Sequence, residues 1–314
     1  MLSFKRFDKV LIFFPIIFMT IVVPKDYHAK EMLEKYKISC ITQDKAERED
    51  IRRLRIGILN IMPQAEKYEF NLLYPLGRSI LQVEPVFIRL RNHDYLSTEK
   101  NHLDNLYLPF LEAINDKYLD GLILTGAPVE KIPFEDVLYW KEIREILETA
   151  EKNIPSTLGI CWGGLAIAKY LGIEKKVQPQ KIFGVFEFEN LNPYHLITGG
   201  MNDVFWCPYT SYAGVPGDVL EQKQREGLLN LLASSPETGY LIFETQNHKF
   251  MVHLGHPEYE TNRLIEEYYR DKEKGKKISL PKNLNLDKPV NRWRGHCLEF
   301  FSQWIKFIHE NTPY

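Results

Sequence analysis

The chain has 314 residues, enough for one large or two small domains around a substantial core. Hydrophobic residues make up 44% and charged residues 26%, a globular balance that excludes wholesale disorder. With a net charge of −2 and its lysines and arginines spread along the chain, it offers no electrostatic footprint for nucleic acid.

At the N-terminus Lys5, Arg6 and Lys9 precede an apolar run from Val10 to Val23, interrupted by Pro15 and Thr20. The run imitates the first part of a signal peptide, yet it is short for a membrane span and no small-x-small cleavage site follows it. No stable membrane anchor is expected. Met19 lies inside the run. Residues 1–18 are therefore expected to be a dispensable or misassigned extension ahead of a single domain over 19–314.

From about residue 55, apolar strand-like runs alternate with helical stretches. This is the pattern of an α/β fold, a parallel or mixed sheet flanked by helices. Strands are expected at 55–61, 83–90, 121–125 and 156–161, and shorter ones at 182–187, 239–244 and 249–254. Near-continuous apolar stretches such as GLILT and TLGIC fit strands buried on both faces. A helix is expected over 135–152, where Val137, Trp140, Ile143 and Ile146 recur at helical spacing. Further helices are expected over 163–171, 262–273 and 299–309, with a polar surface loop over about 276–290.

The four cysteines, Cys40, Cys161, Cys207 and Cys297, lie far apart with no C-x-x-C pair. Neither a disulfide framework nor a zinc site is indicated, and reduced thiols in the cytoplasm are expected. Cys161 stands out because it ends a buried strand, sits in STLGICWGG and precedes a helix. That is a nucleophile elbow with cysteine in place of serine. Glycines flank such a turn because there is no room for neighbouring Cβ atoms. The thiol would sit at a helix N-terminus, which favours the thiolate, and the Trp162 N–H would be an oxyanion donor. A cysteine nucleophile needs a base and a group that orients the base. GHPEY supplies both, because His256 and Glu258 are two residues apart and point the same way on extended backbone. His248, His253 and His296 are read as ordinary hydrogen-bonded side chains.

These residues fall in an ordered set of motifs. They are LNIMP at 59–63, DGLILTGAPVE at 120–130, CW at 161–162, GHPEY at 255–259, EYYRD at 267–271, and Trp293 to Trp304. The chain thereby resembles the homoserine O-acyltransferases, homoserine transsuccinylase and its acetyl-using relatives, from about Thr20 to Tyr314. The resemblance implies a class I glutamine amidotransferase-like, flavodoxin-like fold and a Cys–His–Glu triad of Cys161, His256 and Glu258. It implies ping-pong transfer of an acyl group from coenzyme A, through a cysteine thioester, to the hydroxyl of L-homoserine, the product feeding methionine biosynthesis. Lys181 matches a substrate-contacting lysine, and Arg270 an arginine that grips the amino acid carboxylate. Glu130 matches the position that goes with acetyl-CoA where it is glutamate and succinyl-CoA where it is glycine. A carboxylate there would repel a succinyl group's own carboxylate. Acetyl-CoA is thus the expected co-substrate, with no bound cofactor or metal, and a homodimer is left open.

The chain also departs from the family. PYTSY at 208–212 stands where PHSRY is usual, placing Thr210 at an acceptor-holding serine and Ser211 at an arginine. The K-x-x-T-E segment keeps only Glu69, and the late N-Y-F-P motif has become LNLDKP. Serine or another hydroxy amino acid is therefore an alternative acceptor. A glutaminase using the same triad, and a binding relative without catalysis, are the readings from other classes.

Overall fold

The computed structural model describes residues 20–49 and 51–312. The expected extension over 1–18 lies outside the described residues. The described residues begin with β1 (Thr20–Val23), α1 (Lys30–Lys35), β2 (Ser39–Thr42), α2 (Gln43–Ala46), β3 (Leu54–Leu59) and α3 (Ala65–Leu76). Next come β4 (Val83–Arg89), α4 (Lys100–Leu106), β5 (Leu108–Pro109), α5 (Phe110–Asp116), β6 (Gly121–Leu124), α6 (Trp140–Asn153), β7 (Ser156–Ile160) and α7 (Trp162–Tyr170). The remainder holds β8 (Lys176–Asn190), β9 (Val204–Gly214), α8 (Gly217–Arg225), β10 (Leu229–Ser235), β11 (Gly239–Thr245), β12 (Phe250–His253), α9 (Arg263–Glu273) and α10 (Arg294–Asn311).

The twelve strands among the described residues join one sheet, in the order β2-β1-β4-β3-β6-β7-β12-β11-β10-β8-β9, with β5 paired to β4. From β2 to β12 every pairing is parallel, and from β12 to β9 every pairing is antiparallel. The mixed sheet expected from the sequence is present. Its central strands β6 and β7 are buried at every residue, as strands covered on both faces must be. α3 packs against α10, and α6 against α7. The Trp304 indole of α10 donates to the Ser156 hydroxyl at 3.1 Å, clamping that helix to the start of β7. No helix among the described residues is long and apolar enough to cross a membrane.

The structure holds elements that were not expected, β9 and β10 among them, and three other differences bear on the expected boundaries. Thr20–Val23, the end of the apolar run, is a sheet strand paired with β2 and β4. The short strand expected at 182–187 is the middle of β8, whose polar first half KVQPQK conceals it. The helix expected from 135 starts at Trp140, because Val137 leaves a short 3-10 turn over Phe134–Asp136 with ψ 115°.

Candidate active site

Four parallel strands, β3, β6, β7 and β12, deliver their carboxyl ends to one rim of the sheet, where open α/β sheets place their sites. Cys161 alone makes the turn between β7 and α7. Its backbone stands at φ 52° and ψ −114°, a conformation that costs on the order of 1–3 kcal/mol and persists only where packing enforces it. Two glycines do the enforcing. A Cβ on Gly159 would stand 2.6 Å from the Gly163 carbonyl, and one on Gly163 would strike the Leu124 carbonyl of β6. Strand and helix touch backbone to backbone, and the thiol is left at the helix N-terminus. Trp162 is the first residue of α7, so its N–H has no partner within the helix.

The Cys161 N–H donates to the His253 carbonyl at 2.9 Å, tying the turn to the next strand. β7 and β12 run in register with Ile160 opposite His253, so the residues that follow each strand emerge side by side. His256 is buried against Cys161. Its Nδ1–H donates to Glu258 Oε1 at 2.8 Å, and its ring stacks on Tyr259 with centroids 4.0 Å apart. Burial alone would lower the imidazole pKa, but Cys161 and Glu258 outweigh it and raise it to about 10. The imidazole is therefore set to hold a proton beside the thiol. Burial pushes the Cys207 and Cys297 thiols well above their ordinary value and Cys40 to about 11, which leaves them poor nucleophiles. Chemically the arrangement is a thiol, a base and a carboxylate in line, with free N–H groups beside the thiol for a developing oxyanion.

A family model described as homoserine O-succinyltransferase matches residues 20–314. The chain belongs to that family. It is therefore an enzyme of the acyltransferase type. A protein of Geobacillus sp. named homoserine O-acetyltransferase is 40% identical over 303 residues, spanning 94% of this chain and 99% of its own. One of the same name from Bacillus subtilis is 38% identical over 302 residues with the same coverage. Among solved structures, a glutamine amidotransferase from Thermotoga maritima aligns with TM-score 0.51 at 16% identity, over 82% of this chain and 99% of its own. At that identity the likeness shows the fold, and the fold is the glutamine amidotransferase-like one expected.

A second group of candidate residues converges on a carboxylate that sequence reasoning passed over, Glu267. Thr210 links the two groups, with its carbonyl 4.0 Å from the Cys161 sulfur and its hydroxyl donating to Glu267 Oε1 at 2.7 Å. Lys181 is half-buried and pairs with Glu267, and it lies 3.4 Å from Asp271. Burial would raise the Glu267 pKa, but Lys181 and the Thr210 hydrogen bond hold it below its usual range. Arg270 is half-exposed, with Nη2 at 3.2 Å from Asp271 and 3.8 Å from Glu267. A signal for Glu267 exists in the sequence. Leu264, Glu267 and Asp271 share the buried stripe of α9, so two acids occupy core-facing helical positions.

Ser211 does not join this group. Neighbouring residues on a strand face opposite ways, and Ser211 is buried on the other side of β9 from Thr210, accepting the Ala213 N–H at 3.0 Å. Of the two departures, Thr210 therefore faces the Glu267 group and Ser211 faces away from it. Glu130 is half-buried on the loop after β6. Its neighbour Lys131 lies 3.5 Å over the Tyr212 ring, and Lys181 lies 5.8 Å from the same ring, so this loop adjoins the Glu267 group.

Two clusters among the described residues have a donor set suited to a metal, His28–Glu69–His102 and His195–Glu244–His248. Hydrogen bonds account for both. His195 Nδ1 accepts the Ile197 and Thr198 N–H groups, so its Nε2 carries the proton it donates to Glu244 at 2.8 Å. Glu69 accepts Tyr27 at 2.6 Å, Tyr107 at 2.7 Å and His102 at 2.7 Å, while His28 Nε2 donates to the Glu66 carbonyl.

Proposed function

We propose that the protein transfers an acetyl group from acetyl-CoA to the hydroxyl of L-homoserine by a ping-pong route through Cys161. His256 takes the thiol proton, and the thiolate sulfur adds to the thioester carbonyl. The oxyanion is met by the Trp162 N–H, and the coenzyme A sulfur leaves with the proton His256 holds. In the second half His256 removes the proton from the homoserine hydroxyl, whose oxygen attacks the acetyl-thioester. Collapse frees O-acetyl-L-homoserine and restores the thiol. Glu258 keeps the imidazole oriented and offsets its charge.

The acceptor carries a carboxylate and an ammonium, and α9 offers Arg270 to the first and Glu267 to the second. Glu267 accepts the hydroxyl of Thr210, whose carbonyl lies 4.0 Å from the Cys161 sulfur, and Arg270 lies 3.8 Å from Glu267. Glu130 is read as the residue that excludes a succinyl donor. The observation that carries the reading is the His256–Glu258 pair at 2.8 Å beside a thiol on a strained elbow, in a chain 40% identical to a homoserine O-acetyltransferase. Residues 19–314 are read as one catalytic domain working in the cytoplasm on small-molecule substrates.

The test is coenzyme A release with acetyl-CoA and succinyl-CoA, each against homoserine and serine, with ammonia release from glutamine as a third arm. Acetyl-CoA with homoserine should give the highest kcat/KM. Preference for serine would reassign the acceptor, and ammonia release without coenzyme A release would make the chain a glutaminase.

A further inference from the structure

Glu258 is held by a residue that belongs to no part of the Cys–His–Glu set. Tyr68, on α3, is fully buried and donates its hydroxyl to Glu258 Oε1 at 2.6 Å. That is the same oxygen that accepts the His256 Nδ1–H at 2.8 Å. The other oxygen, Oε2, is buried without a partner. The imidazole and the phenol are thus the two donors that fix which carboxylate oxygen faces the base. Two tyrosines pin Tyr68's neighbour. Glu69 takes the Tyr27 and Tyr107 hydroxyls, and the Asn60 amide in turn donates to Tyr107 at 2.9 Å. α3 therefore cannot rotate Tyr68 off Glu258 without breaking a buried network. Burial and the nearby Glu258 charge both push the Tyr68 phenol pKa well up, so it remains a donor throughout the working range.

We propose that Tyr68 is a positioning residue of the acyl-transfer reaction, locking the Glu258 carboxylate in the one rotation that orients His256. It rests on the reading of Cys161, His256 and Glu258 as the catalytic triad. A buried carboxylate that keeps one donor instead of two carries its charge less well and is free to turn its unpartnered oxygen toward the base. The other titratable groups around Glu258 are Tyr259, Cys207 and Cys297; burial pushes each well above its ordinary value, and none of the three is hydrogen-bonded to the carboxylate.

The test is Tyr68→Phe, which deletes one oxygen and keeps the ring. Turnover and the pH dependence of Cys161 alkylation by iodoacetamide are both read, the latter by peptide mass spectrometry. We expect kcat to fall about tenfold, with both KM values within about twofold, and the acid limb of alkylation to move up by about half a pH unit. Replacing Tyr68 by 3-fluorotyrosine, a stronger donor of nearly the same shape, should move that limb the other way. This second replacement decides the matter should the phenylalanine variant not fold. An unchanged limb in both, or a lowered Tm with unchanged kinetics, would overturn the proposal. Glu258→Gln is run beside them. If it too leaves the alkylation profile untouched, the triad reading itself has failed, and not merely the role of Tyr68.

Discussion

Replacing Gly126 with alanine adds one methyl where the chain leaves β6 and passes the thiol. On the existing backbone that Cβ would stand 3.5 Å from Cys161 Cβ, 3.6 Å from His256 Cε1 and 3.2 Å from Met62 Sδ. The first two are ordinary contacts, and the third is to a flexible thioether that can move aside. Gly126 is not among the positive-φ glycines, so alanine fits its backbone without strain. The fold should lose less than about 1 kcal/mol, a Tm change of at most a few degrees. The chemistry should suffer far more. An acyl carbon must come within roughly 3–3.5 Å of the sulfur, and displacing reacting atoms by about 1 Å costs on the order of a hundredfold. A methyl between Cys161 and His256 occupies that approach. We therefore expect Gly126→Ala to lose about a hundredfold in kcat/KM while melting near the wild type, measured by coenzyme A release and thermal denaturation. A folded variant with wild-type turnover would refute the reasoning, because the carbonyl would then reach the sulfur from another side.

Glu130→Gly should raise the succinyl-to-acetyl ratio of kcat/KM by about tenfold or more, and an unchanged ratio would move donor selection elsewhere. Arg270→Ala should raise KM for every α-amino acid acceptor by roughly tenfold, leaving acylation of Cys161 in the absence of acceptor unaltered. A slower acylation step would take Arg270 out of the acceptor half. His253 is buried with Nδ1 unpartnered, and burial lowers its pKa from 6.5 to about 3. The unfolded chain then takes up this proton first as pH falls. The stability His253 contributes is whole above pH 6.5 and lost toward pH 3, with a slope of up to about 1.4 kcal/mol per pH unit. His253→Phe, packed against Phe300, should flatten the urea midpoint over that window, and parallel curves would contradict it.

The elbow is legible in the sequence because its geometry leaves only glycine at positions 159 and 163, where a Cβ would meet backbone that cannot yield. H-x-E is legible because two residues that follow a buried strand need no long-range contact to face the same way. What the sequence conceals is pairing across distance. Tyr68 and Glu258 are 190 residues apart, and nothing local marks the tyrosine as their link. Glu267 and Lys181 look like solvated charges when read singly, and Glu267 can be buried because Lys181 neutralises it. The β8–β9 hairpin is hidden by its polar, exposed first half, and with it the alternation that separates Thr210 from Ser211. Glu130 needs no contact to be noticed, since its place in TGAPVE carries it.

We hold that Cys161 carries the acyl group. Incubating the protein with acetyl-CoA and no acceptor, then digesting it and mapping thioesters by mass spectrometry, tests that claim directly. An acetyl adduct is expected on the Cys161 peptide, absent from His256→Ala and discharged by homoserine. An adduct on Cys207 or Cys297, or acetyl transfer to homoserine by Cys161→Ala, would contradict it.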